Sequence, residues 1–259
     1  MIEELKTDRF HLHYKSEIVD TPLLWESHCH ATFEMIAVLG GGIVVGIEGR
    51  QWRLGRGESI VIPPLCYHTI SAQRGEEYER LTVLFEQTAI PTALQAVQGS
   101  GAPAVCMLSG HVRTALAGVC READKAFYAP LADSLMVQAL YELSRSAQAE
   151  RQETVDSTLV EILAYIDRHL GEQIVLDDLA AHVSRSKSSV CHLFVQKMKI
   201  SPKQYILQKK LAHAALLIKE GVAPCEVATR LGYENYSNFY RLYKKHFGRA
   251  PTGERGDLC

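Results

Sequence analysis

The stretch 226-EVATRLGYENYSNFYRLYKKHFGRAP-251 decides the reading of the C-terminal half. Its apolar residues recur at helical spacing: Val227-Ala228-x-x-Leu231, then Phe239-x-x-Leu242-Tyr243. The pattern occurs twice. Leu179-Ala180-x-x-Val183 precedes the first motif by 48 residues, and Val190-x-x-Leu193-Phe194 followed by Pro202 matches Phe239, Leu242, Tyr243 and Pro251 at an offset of 49. This is an internal duplication of a helix-turn-helix unit, with one extra residue in the second turn.

Residue chemistry gives each unit an inside and an outside. The small Ala180 and Ala228 let paired helices cross closely, and Ser186 is placed to cap the second helix of its unit. Val190, Leu193 and Phe194 then face inward, leaving Ser186, Lys187, Ser188, Cys191 and His192 outward. The corresponding face of the second unit carries Tyr236, Ser237, Asn238, Tyr240, Arg241, Lys244 and Lys245. Hydroxyl, amide and cationic groups at the start of such a helix suit base edges and phosphates in a major groove. Upstream, Leu159, Ile162, Leu163, Ile166 and Leu170 form one apolar helical stripe, and Leu207, Leu211, Ala214 and Ile218 form another.

Charge supports a polyanionic partner. The formal net charge of −2 hides residues 184–250, where 13 Lys and Arg face only Glu220, Glu226 and Glu234. The 259 residues are 47% apolar and 22% charged, which excludes a disordered, collagenous or coiled-coil chain. Met35 to Ile47 is the longest apolar stretch, but four glycines interrupt it, so no membrane span is expected. Residues 1–20 lack a basic start followed by an apolar core, so no signal peptide is expected. Seven cysteines without a C-x-x-C pair do not form a disulfide framework, and Cys191 reads as a packing or groove residue. The expected location is cytoplasmic.

The N-terminal half has a strand texture. Phe33–Leu39, Ile43–Ile47, Gln51–Leu54, Ser59–Ile62 and Leu81–Phe85 are short runs separated by Gly-Gly-Gly, Glu-Gly, Gly-Arg-Gly and Pro-Pro. Gly40-Gly41-Gly42 reads as a hairpin connection, since no Gly-Lys-Ser/Thr follows it. After Pro103 the texture changes, and Val112–Phe127 and Leu131–Ala149 read as helices. Leu131, Leu135, Val137, Leu140 and Leu143 serve either dimerisation or barrel cover, and the polar Ala147–Asp156 reads as a linker.

On these motifs the chain resembles two known families. Residues 159–255 look like the DNA-binding region of the AraC/XylS family of bacterial transcription regulators. The carrying segments are LDDLAAHVSRSKSSVCHLFVQKMKISPKQY and the stretch quoted above, which is similar to A-x-x-x-G-[FY], an aromatic-x-R-x-[FY]-K-K core, then G-x-x-P. The resemblance implies two helix-turn-helix units joined by a helix from about Pro202 to Glu220, with both recognition helices in successive major grooves. It departs from the family in three places. Lys199 stands where Gly is usual, costing about 1 kcal/mol if its backbone is left-handed. Lys210 replaces a frequent Arg, and Glu254-Arg255 replaces a Tyr-Arg pair.

His28-x-His30-x3-Glu34, then Gly57-x5-Pro63-x4-His68, resembles the two-part cupin signature, although Ala72 stands where Asn is usual. Residues 28, 30 and 34 would share one strand face. If that face points inward, His28, His30, Glu34 and His68 form a candidate set for Zn, Fe or Mn. Many sensor domains of this type use such residues as orienting groups, so no metal and no other cofactor is expected. Trp25, His28, His30, Glu34, Trp52, Tyr67 and His68 are the candidate ligand contacts, with Arg80 and Phe85 as further pocket residues.

The expected fold is an α+β two-domain chain. A cupin-like β-barrel sensor (1–110) leads through a helical connector and possible dimerisation element (111–153) to an all-α domain with two helix-turn-helix units (154–259). The expected function is a sequence-specific DNA-binding transcription regulator, not an enzyme, modulated by a small molecule in the barrel. Its expected partners are double-stranded DNA, an effector of unknown identity, RNA polymerase and a second copy of the chain. The alternatives are a metal-dependent cupin enzyme tethered to nucleic acid and a ligand-independent architectural DNA binder.

Overall fold

The computed structural model describes residues 2–18, 23–24, 28–72, 77–90, 103–146 and 156–251. The chain divides into two compact units, residues 1–26 with 32–153 and residues 27–31 with 154–259. Trp25, nearly all of the 147–156 linker and Glu254-Arg255 lie outside the described residues.

The first unit is two antiparallel sheets and a helical pair. Its strands are β1 (Ile2–Lys6), β2 (Phe10–Ile18), β3 (Leu23–Leu24), β4 (Phe33–Gly40), β5 (Gly42–Ile47), β6 (Arg50–Gly55), β7 (Glu58–Ile62), β8 (His68–Ala72), β9 (Glu77–Phe85) and β10 (Ala104–Met107). One sheet runs β1-β2-β9-β4-β7-β10 and the other β3-β8-β5-β6, so two ladders rather than one closed ladder build the expected barrel. Alternation along the strands creates two apolar layers. Ile36, Val38, Ile60 and Ile62 meet Val45, Trp52, Leu54 and Ile70 between the sheets. Phe33, Met35, Leu81, Val83, Phe85, Phe10 and Leu12 form the opposite layer, under the helices. Gly41 at φ 71° makes the connection between β4 and β5, but these strands pair in different sheets, so the three glycines carry the chain from one sheet to the other and do not form the expected hairpin. Glu48 and Gly49, at φ 47° and 75°, form the two-residue turn between β5 and β6.

The connector helices are α1 (Gly110–Arg121) and α2 (Lys125–Ser146). Sequence spacing placed their junction just before Leu131, whereas the break falls at residues 122–124. Asp124 explains this, because its carboxylate accepts from the Phe127 amide at 3.0 Å and opens the second helix there. Pro130 is carried inside α2. Leu135, Leu140 and Leu143 are buried against the sheet, whereas Leu131 is exposed. Ser109 caps α1, and Glu142 of α2 accepts from the Ser109 amide (2.9 Å) and hydroxyl (3.0 Å), tying the pair together.

The second unit contains α3 (Ser157–Arg168), α4 (Leu176–His182), α5 (Lys187–Met198), α6 (Pro202–Lys219), α7 (Pro224–Arg230) and α8 (Tyr236–Phe247). Each start has a local cause. Asp156, Ser186 and Asn235 cap α3, α5 and α8 through their side chains. Ser201 and Gln204 form a reciprocal capping box at α6, with Pro202 in its first turn. Among the described residues no helix is long and apolar enough to cross a membrane, and Cys29, Cys66, Cys106, Cys120, Cys191 and Cys225 are in no disulfide.

Candidate functional site

The duplicated units fold as α4–α5 and α7–α8. Ala180 and Ala228 are buried at the crossings, and Val190, Phe194, Phe239 and Tyr243 are fully buried on the inner faces of α5 and α8. Phe194 packs edge-on against Tyr205 of α6 at 5.6 Å. The turns differ in an instructive way. Gly232 and Gly248 take left-handed backbone in the second unit, whereas Ser184 and Lys199 take it in the first. Lys199, at φ 61° and ψ 12°, ends α5 as Gly248 ends α8, so the suspected left-handed residue carries that backbone cost. Gly232 has no freedom to be replaced, since a Cβ there would meet the Gly171 carbonyl oxygen at 2.7 Å.

Eight of the twelve outer-face candidates are exposed and four are half-buried. Ser186, Lys187, Ser188 and His192 are exposed on the first unit, with Cys191 half-buried. Ser237, Arg241, Lys244 and Lys245 are exposed on α8, while Asn238 and Tyr240 are half-buried. Tyr236 is half-buried, 5.9 Å from Phe239 and 6.2 Å from Tyr240 in ring centroids, and so packs as well as faces out. Asn238 Oδ1 accepts from Arg241 Nη2 at 3.1 Å, which orients the guanidinium along the helix. Lys187 pairs instead with Asp177 of α4 at 2.6 Å. Position for position the α8 face is the more cationic, because Arg241, Lys244 and Lys245 stand where α5 has His192, Val195 and Gln196.

One buried cation holds the second unit together. Lys210 of α6 donates to the Glu172 carbonyl (2.7 Å), beyond α3, and to the Leu231 carbonyl (2.8 Å), at the end of α7. Its ammonium also lies 5.6 Å from the Tyr233 ring centroid, and burial pushes its pKa below the usual lysine range. Sequence comparison marked Lys210 only as a lost guanidinium; its acceptors come from two distant turns.

In the first unit, Glu34 on β4 and His68 on β8 are both buried, with Glu34 Oε2 2.9 Å from His68 Nε2. His68 Nδ1 lies 2.9 Å from the Cys66 carbonyl oxygen. Burial disfavours the charged ring, but the Glu34 carboxylate and the Cys66 carbonyl outweigh it, and the His68 pKa is raised. His28 and His30 do not share a strand with Glu34, since β4 begins only at Phe33 and both precede it. His28 and His30 fall in residues 27–31, which group with the second unit, whereas Glu34 and His68 belong to the first, so strand alternation does not set the four on one face as expected. Three imidazoles and a carboxylate are a donor set that suits Zn, Fe or Mn.

The remaining candidates divide. Trp52 and Tyr67 are buried, Trp52 within the apolar layer between the sheets, where it packs. Phe85 points into the opposite layer, under the helices, because alternation on β9 turns it away from Arg80. Tyr78, Arg80 and Thr82 alternate onto the face that Glu34 occupies, joined by His13 of β2 through the β2–β9 register. Burial pushes the Tyr78 phenol up, and Arg80 lies 5.6 Å from its ring. Tyr78, Thr82 and His13 were not singled out from sequence, because only strand pairing puts them on the face that Glu34 occupies.

Fold and site define a β-sheet ligand-binding unit followed by a double helix-turn-helix unit. Comparison with known proteins agrees. Residues 21–140 match the AraC-like ligand binding domain family and residues 179–256 a helix-turn-helix domain family. Over both stretches the chain is similar to AraC-type transcription regulators. It is 27% identical over 236 residues to the uncharacterised HTH-type transcriptional regulator YobQ of Bacillus subtilis, covering 91% of this chain and 90% of YobQ. It is 30% identical over 118 residues to YdiP of Escherichia coli K12, covering 44% of this chain and 39% of that one. With GbdR of Pseudomonas aeruginosa the match is 35% over 98 residues, 38% of this chain and 27% of GbdR. The chain thus spans well under two thirds of YdiP and GbdR. ToxT of Vibrio cholerae aligns over 94% of this chain and 97% of its own, at 9% identity and a TM-score of 0.41.

Proposed function

We propose that this protein is a sequence-specific transcription regulator in which α5 and α8 enter successive major grooves of double-stranded DNA and a small molecule bound by the first unit shifts the population of DNA-engaged states. The observation that carries it is the duplicated pair of capped helices with polar, exposed outer faces. Ser186, Lys187, Ser188, Cys191 and His192 are the contacts of the first helix. Tyr236, Ser237, Asn238, Tyr240, Arg241, Lys244 and Lys245 are those of the second, and α8 dominates the electrostatic share. The effector is oriented by His28, His30, Glu34 and His68, with Arg80 beside them. The acting form is a homodimer joined through α2, whose exposed Phe127, Leu131 and Tyr141 fall on one helical face. RNA polymerase is the further partner of such a regulator at a promoter, and the protein works without catalysing a reaction.

The test uses DNA selected by the purified chain from a random pool. Arg241→Ala weakens binding to the selected site by about 1–3 kcal/mol and leaves binding to random DNA much less changed. Equal loss on both would show that Arg241 reads no base. A second reading rests on the donor set itself: His28, His30, Glu34 and His68 hold a divalent metal that forms part of the effector site. Elemental analysis of the purified chain, with loss of metal in His30→Ala, tests it.

A further inference from the structure

We propose that Glu4, His11 and His13 form a second binding site, for a divalent first-row transition ion with zinc as the reference case, which shares no residue with the His28, His30, Glu34 and His68 set. The β1–β2 register places Glu4 directly across from His13, and His11 stands two residues along on the same face. Leu5 and Leu12 point the other way, into the core, and so hold that face in register. One ligand atom from each of the three residues lies within 4.8 Å of the others. Glu4 Oε1 contacts His11 Nε2, Glu4 Oε2 is 4.0 Å from His13 Nδ1, and the two imidazole centroids are 4.0 Å apart. Tetrahedral ligand bonds of about 2.0–2.2 Å set donors roughly 3.3–3.6 Å apart, so Glu4 and His11 open to admit the ion while His13 closes on it. The Glu4 side chain, 55% exposed, has room to make that adjustment.

Burial holds the donors in place. His11 is 9% exposed, and its Nε2 faces the Glu4 carboxylate, so an ion seated between them takes imidazole nitrogen and carboxylate oxygen together. Two imidazoles and one carboxylate favour zinc-like ions over calcium or magnesium, which prefer all-oxygen shells. Three protein ligands leave a fourth position for water. Bound there, the ion would staple edge strand β1 to β2.

The experiment is zinc titration of the full chain against a competing chelator, with a parallel thermal melt. In His28→Ala/His30→Ala, which disables the other set, one zinc per chain still binds and raises the melting temperature. Adding Glu4→Gln and His13→Gln weakens that binding by at least about 100-fold. In the otherwise unaltered chain, Glu4→Gln/His13→Gln lowers bound zinc by one equivalent. A His28→Ala/His30→Ala chain that binds no zinc overturns this site while leaving the other reading intact. Zinc binding there that survives Glu4→Gln/His13→Gln also overturns it.

Discussion

Lys210→Met removes the cation that α6 sends to two turns while keeping an unbranched stem of similar length. The wild-type ammonium makes one buried bond, to Leu231, and one half-buried bond, to Glu172. Hydrogen bonds from a charged group contribute roughly 1.5–3 kcal/mol each, and a buried carbonyl left without its donor costs about 1–3 kcal/mol. The saved desolvation of the ammonium offsets part of this, as the lowered Lys210 pKa indicates. A net loss of about 3 kcal/mol follows. At 1.4 kcal/mol per factor of ten, amides that exchange through opening of this unit should exchange about 100-fold faster. Hydrogen exchange read by mass spectrometry on peptides covering 172–182 and 224–233 makes the measurement local, so the first unit does not dilute it. Lys210→Arg, which keeps the charge and two donors, should cost far less. Exchange in Lys210→Met within threefold of wild type would refute the clamp.

Three further outcomes are expected. Gly232→Ala destabilises the second unit by at least about 2 kcal/mol, since it adds a left-handed backbone cost to a clash with Gly171; urea unfolding near wild type would contradict the contact. Lys199→Gly stabilises by up to about 1 kcal/mol by relieving the same backbone cost, less the bond that Lys199 Nζ donates to Gln196; a lower denaturation midpoint would count against it. Burial holds His213 below the usual histidine pKa, against the charge of Glu220 and with that of Lys209. As pH falls below about 6.5 the unfolded chain takes up the proton first, so stability is full above that pH and declines below it. His213→Gln should flatten the stability profile between pH 7.5 and 5.5, and an unchanged slope would remove His213 from the account.

Helices were the legible part of this chain because their information is local. Residues three and four apart share a face, so the repeated Leu179, Val190, Phe194 and Val227, Phe239, Tyr243 patterns specified two buried seams and two outward faces without reference to anything distant. The same locality let Ser186 be read as a cap and Lys199 as a left-handed residue out of place. The α1–α2 junction was missed because Pro130 is the louder signal, while Asp124 sets the break through one side-chain bond. The sheets were legible as strands but not as neighbours. The cupin-like motif put Glu34 and His68 in one candidate set, but nothing in the spacing of Glu4 and His13 says that they meet; strand order and register decide that, as they decide that Trp52 and Phe85 are packing residues. The sequence alone therefore determined the helical repeat, its polar faces and the resemblance to AraC-type regulators. Only the tertiary structure decided which polar side chains converge and which two carbonyls Lys210 joins, because pairing over long separations depends on packing of the whole unit rather than on any local preference.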